Sequence, residues 1–139
     1  MINSDSQDKK IGRTMDNSIS AKLLKINEDD ENHATLLING LSIECFVNSC
    51  PYATEIGKTY PIELTLYLSD TYMISRAKST DPMVEKASKG YTYFLCGTLK
   101  NSVFESFTNF DDQDIHYDHP DLNDHYVKLE VTRIDVNFL

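Results

Sequence analysis

Asn39-Gly40 sits between two short apolar runs, His33–Ile38 (HATLLI) and Leu41–Asn48 (LSIECFVN). A two-residue type I′ turn needs positive φ at both central residues, and Asn-Gly is a pair that adopts it readily. The dipeptide therefore predicts a β-hairpin and its register. Beyond the turn, Leu41, Ile43, Cys45 and Val47 fall on one face, and Ser42, Glu44, Phe46 and Asn48 on the other. A period of two marks a strand with one face buried. Upstream, Ala21–Asn27 (AKLLKIN) reads as a strand that enters the hairpin through the acidic turn Glu28–Asn32, so that residues 21–48 form a three-stranded meander.

The pattern continues to the C-terminus. Ser49–Tyr60 is a loop marked by Pro51 and Gly57, and Pro61–Ser69 (PIELTLYLS) alternates cleanly. Thr71–Ala77 is a weaker continuation or a fifth strand. Asp81 suits a helix N-cap, Pro82 the first helical position and Gly90 the left-handed C′ position, so Met83–Lys89 is predicted as a two-turn helix. Tyr91–Lys100 is a strand whose Gly97 marks a bend or bulge, and Ser102–Phe110 is a further strand across a turn at Lys100-Asn101. Asp111–Asp124 reads as a long acidic loop. The last strand runs from His125 to Leu139; its inward set jumps from Val131 to Ile134, a step of three that predicts a bulge near Thr132-Arg133.

The expectation is thus mainly β: a small antiparallel OB-like or Greek-key barrel of seven or eight strands with one short helix. A β-sandwich is the alternative. The order is a meander, a long strand, a short helix and a hairpin-like return, which looks like an OB-fold, in which a helix closes one end between the third and fourth core strands. Residues 1–20 are polar and aperiodic and read as a flexible arm, with order beginning near Ile19; residues 21–139 form the single barrel domain. A chain of 139 residues suffices for one core.

The segments Phe46–Leu64 (FVNSCPYATEIGKTYPIEL) and Tyr126–Leu139 (YVKLEVTRIDVNFL) resemble parts of small bacterial barrel proteins of uncertain function, some of which are immunity proteins encoded beside toxins. The resemblance implies a barrel and points toward a binding role. It rests on strand and turn phrases, so it implies no particular site residues.

The formal net charge is −9, from 22 acidic and 13 basic side chains. Such a surface repels nucleic acid at long range and attracts basic partners. The N-terminus lacks the apolar core of a secretory signal and no apolar run is long enough to span a membrane, so a cytoplasmic protein is expected. The three cysteines, Cys45, Cys50 and Cys96, are odd in number and form no CxxC pair, which argues for reduced thiols. GxSxG, P-loop and GxGxxG motifs are missing, and the chain reads as a binding protein rather than an enzyme.

Three features could carry function. Glu28–Glu31 and Asp111–Asp124 are acidic clusters suited to a basic protein partner, with Asp29, Asp30, Asp111, Asp112, Asp114 and Asp118 the expected binding residues. The leading expectation is accordingly an acidic inhibitor or immunity-type module. The second cluster also holds His116, His119 and His125. Imidazole and carboxylate together suit zinc, with His116, His119 and one of Asp114, Asp118 or His125 as ligands, and a metal-dependent hydrolase is the remote alternative. The segment lacks the central Gly and final Glu of a calcium loop. Thirdly, aromatic residues such as Tyr67, Tyr91, Phe94 and Tyr126 recur along the strands. In an OB-type barrel they could stack single-stranded nucleic acid, given a basic groove; otherwise they pack the core or face a protein. Open strand edges would allow a homodimer.

Overall fold

The computed structural model describes residues 18–88, 90–111 and 113–139. Of the expected arm 1–20, residues 1–17 lie outside the described residues, as do Lys89 and Asp112, while Ile19 and Ser20 already belong to the first strand.

The meander forms as its sequence dictates. Strands β1 (Ile19–Ile26), β2 (His33–Ile38) and β3 (Leu41–Ser49) pair antiparallel in order. Asn39 and Gly40 turn between the last two at φ 50° and 81°, the positive values a type I′ hairpin requires. Strand β4 (Thr59–Tyr67) pairs with β1, and β11 (Arg133–Phe138) closes the ring between β4 and β3. The result is a closed five-stranded barrel, ordered β1–β2–β3–β11–β4. Numbered by core strand that is first, second, third, fifth, fourth, the Greek-key order of an OB-like barrel. One departure from the expected antiparallel pattern follows: β11 lies parallel to β3. A parallel neighbour needs a long crossover, and here the crossover is the whole segment between β4 and β11.

That segment builds a second sheet. Its strands are β5 (Ile74–Arg76), β6 (Val84–Lys86), β7 (Tyr93–Lys100), β8 (Val103–Glu105), β9 (Asn109–Asp111) and β10 (Tyr126–Val131). Strand β7 is its spine. Strand β10 covers one edge of β7 along most of its length, while β6 and β8 share the other edge. Gly97 lies at the junction of those two short partners. A Cβ there would collide with the backbone carbonyl of Glu105, so the residue permits close strand approach.

Four expectations are corrected. Among the described residues of the helix predicted over Met83–Lys89 none is helical; Val84–Lys86 extends and pairs with Leu95, Phe94 and Tyr93. Two turns are too short to stand alone as helix, and the open edge of β7 supplies ladder partners instead. The acidic segment read as a loop contains the short helix α1 (Gln113–Asp118) and a 3₁₀ turn (Pro120–Leu122), pinned by buried Ile115 and Leu122. The helix thus falls between the fourth and fifth barrel strands, whereas the third-to-fourth connection, 50–58, is irregular. Ser102–Phe110 is a tight hairpin of two short strands, β8 and β9. The final strand is two, and among the described residues the strands number eleven. The extra residue at Thr132 was legible, but it does more than bulge: Val131 ends in the second sheet and Arg133 begins in the barrel.

One apolar core joins both sheets. Barrel residues Leu23, Leu36, Ile43, Ile62 and Ile134 are continuous with Leu95, Leu99, Phe104, Val127 and Leu129. Tyr93 stitches the two together: its ring is buried and its hydroxyl accepts a 2.8 Å hydrogen bond from Glu44 N, on β3.

Candidate functional site

The first acidic turn is ordered by its own side chains. Asn27 Oδ1 accepts from Asp29 N at 2.7 Å and Asp30 N at 3.1 Å, an Asx-type turn that leaves the side chain of Asp29 in solvent. Asp30 is tied down: one carboxylate oxygen accepts from Asn32 N at 3.0 Å and the other from the Tyr91 hydroxyl at 3.1 Å.

Tyr91 leads from this turn onto the outer face of the barrel. Its ring packs against His33, 4.9 Å between centroids, and meets Phe46 edge-on at 5.9 Å. His33 and Phe46 are cross-strand partners on β2 and β3, and both point outward because Ala34 and Cys45 beside them point into the core. His33 Nε2 donates to Glu44 Oε1 at 2.8 Å. Beyond Phe46 lies Arg133 of β11. Its guanidinium sits 4.1 Å from the Phe46 ring and 4.9 Å from the Tyr67 ring, and Nε donates to Asp135 Oδ1 at 2.7 Å. An arginine held by a carboxylate and two rings loses little further freedom on binding. Tyr67 ends the strip and is 52% exposed.

The strip therefore runs from Asp30 to Tyr91, whose ring meets both His33 and Phe46, and on through Arg133 to Tyr67. Its charges are mixed: Lys25 and Arg133 lie among Asp30, Glu44 and Asp135. Beside it, Lys25, Asn27, His33, Thr35 and Glu44 line an open polar depression of about 150 Å³.

The second acidic segment is placed differently. Asp114 is exposed in the first turn of α1, and exposed Asp118 at its end accepts a long 3.4 Å contact from the Tyr72 hydroxyl. Asp111 is half-buried at the end of β9, and Asp112 lies outside the described residues. His116 is on α1, but His119 lies beyond it at φ −132° and ψ 63° and packs edge-on against Tyr72. The alignment that i, i+3 spacing gives on a continuous helix is therefore lost. His125 is half-buried ahead of β10. Among the described residues no three His, Cys, Asp or Glu side chains come together as a metal would require. This segment belongs to the inserted sheet, whereas the 28–31 turn joins two strands of the barrel.

The cysteines divide in the same way. Cys45 and Cys96 are buried, and burial pushes the Cys45 thiol far above its ordinary range. Cys50 is exposed and its thiol donates to Tyr52 O at 3.1 Å.

Sequence reasoning found the acidic turn and missed the strip. A signal existed: Phe46 and Tyr67 occupy the solvent side of cleanly alternating strands. What it lacked was Arg133, which reaches them only through barrel closure.

By fold and surface this is a β-barrel of OB-like strand order, extended by an inserted sheet and carrying an ordered acidic turn next to an aromatic strip. Residues 15–139 match the family described as uncharacterised conserved protein UCP019853, and the chain belongs to that family. No curated protein and no solved structure matches it. Among the described residues no helix is long and apolar enough to cross a membrane.

Proposed function

We propose that this protein is a non-catalytic binding module that docks on a basic protein, in the manner of an inhibitor or immunity protein. The observation that carries the reading is the 28–31 turn. Its carboxylates project from a hairpin tip whose backbone is already fixed by Asn27, so little ordering remains to oppose association. The net charge of −9 adds long-range attraction for a cationic partner. Asp29, with Glu28 and Glu31, makes the steering contact; Asp114 and Asp118 extend the acidic field from the inserted sheet.

The test begins with capture from the protein's own cell extract, with and without nuclease, read by mass spectrometry. A near-stoichiometric basic protein that survives nuclease is expected. Reversing Glu28, Asp29 and Glu31 to lysine should then slow its association by at least about tenfold at low salt and flatten the salt dependence. Association unchanged by the reversal overturns this reading of the turn.

A second reading has one observation in its favour. Exposed Tyr67, with Phe46 and Arg133, lies on the outer face of an OB-like barrel, where single-stranded nucleic acid could stack. Glu44, Asp135 and Asp30 oppose it, since such a groove needs net positive charge. Capture of nucleic acid, or of proteins lost after nuclease treatment, would put this reading first.

A further inference from the structure

We infer that the strip from Tyr91 to Tyr67 is the energetic centre of the partner interface, and that the acidic turn is its rim. The inference deepens the proposed function and rests on it. Protein interfaces concentrate their energy in a few tyrosine, tryptophan and arginine side chains, ringed by residues that steer or exclude water. This face has that composition and that arrangement. Phe46 and Tyr67 hold Arg133 between them, and Asp135 neutralises it. The guanidinium therefore acts as a flat spacer between two rings and does not repel a cationic partner.

The rim and the centre are physically coupled. Tyr91 donates to Asp30 in the turn and packs on His33 and Phe46 in the strip, so a surface drawn in by the turn arrives over the rings. Charge complementarity fixes the occupant. Asp135 is taken up by Arg133 and Glu44 is hydrogen-bonded to His33, but Asp30 and the adjoining Glu28, Asp29 and Glu31 outnumber Lys25, so the face suits a basic protein surface that presents lysine or arginine side chains. Their stems would cover the rings, and their charges would meet the ring faces and the carboxylates. Tyr67 is the most exposed ring of the strip and the one whose truncation disturbs the core least.

The test compares wild type with Tyr67→Ala, Tyr91→Phe and Tyr117→Ala, each folded by circular dichroism, against the purified basic protein captured by wild type. Tyr117 is 86% exposed on α1, is not one of the strip residues, and serves as the control. The expected result is at least about tenfold weaker binding for Tyr67→Ala, carried by faster dissociation with an unchanged salt slope. Tyr91→Phe, which cuts the link to Asp30, should weaken binding several-fold, and Tyr117→Ala should leave it unchanged. If wild type captures no basic protein, the proposed function fails and this inference with it. If the partner binds Tyr67→Ala and wild type equally while the turn reversal still slows association, the function stands and the strip is not its centre.

Discussion

Gly97 stands where β6 and β8 meet along the edge of β7, and the space its missing side chain leaves is taken. A methyl group there would press on the Glu105 carbonyl and the Phe104 ring. Neither neighbour yields easily, because Phe104 is fully buried and Glu105 pairs with Thr98. Gly97→Ala should therefore destabilise the fold by about 1–3 kcal/mol, as overpacking generally does, read as a drop in urea midpoint without a change in slope. Tyr93 is the other residue on which much turns. Its hydroxyl satisfies Glu44 N on the stretch of β3 that β11 does not reach, and burial pushes its pKa up to about 12. Burial also raises the Cys45 thiol. Both groups are held neutral in the folded chain, while the unfolded chain ionises first, near 9.0 for cysteine and 10.0 for tyrosine. The stability they confer is whole below those values and is lost as pH rises through and beyond them. Urea midpoints should accordingly fall from about pH 9 upward, and Cys45→Ala with Tyr93→Phe should flatten that alkaline limb at the expense of stability near neutrality.

At the scale of elements, the β1–β2 turn shows how local chemistry orders a surface feature. Asn27 needs only its own carboxamide to fix the backbone of Asp29 and Asp30. Asn27→Ala should cost about 1 kcal/mol of stability and broaden the amide signals of Asp29 and Asp30 in NMR spectra. It should also slow partner association without altering net charge, which separates order in the turn from charge on it. The inserted sheet shows the opposite case. Asp81-Pro82 carries sound helix-start chemistry, yet Val84–Lys86 is a strand, because an edge of β7 was open to pair with it. Ile115 is the reverse: one buried side chain anchors a single helical turn in a segment whose composition reads as loop.

For the whole molecule, the closing strand matters most. Strand β11 makes the parallel pair with β3, brings Arg133 to Phe46 and Tyr67, and delivers Ile134 and Val136 to the core. Barrel closure and the aromatic strip are thus products of one six-residue segment. The charge acts at this scale too. At −9, self-repulsion opposes the compact state, so added salt should raise the melting temperature even as it weakens capture of a basic partner. A melting temperature that falls with salt would show instead that attractive surface pairs such as Lys128–Glu85 and Lys58–Glu55 outweigh the net charge.

The division between what was written in the sequence and what was not follows the range of the forces involved. Asn39-Gly40, the alternation of Leu41–Asn48 and Pro61–Ser69, and the extra residue at Thr132 act over a few bonds, and each produced its turn, strand or break. The Asp29–Asp30 turn was legible for the same reason. The split of the last strand between two sheets, the strand at Val84–Lys86, the parting of His116 from His119 and the stack of Arg133 on Phe46 and Tyr67 all depend on residues far apart in the chain. Side-chain periodicity tells a strand which face to bury, but not which edge it will meet. That choice is made by the closure of the barrel and the shared core, where burial of apolar surface outweighs local preference.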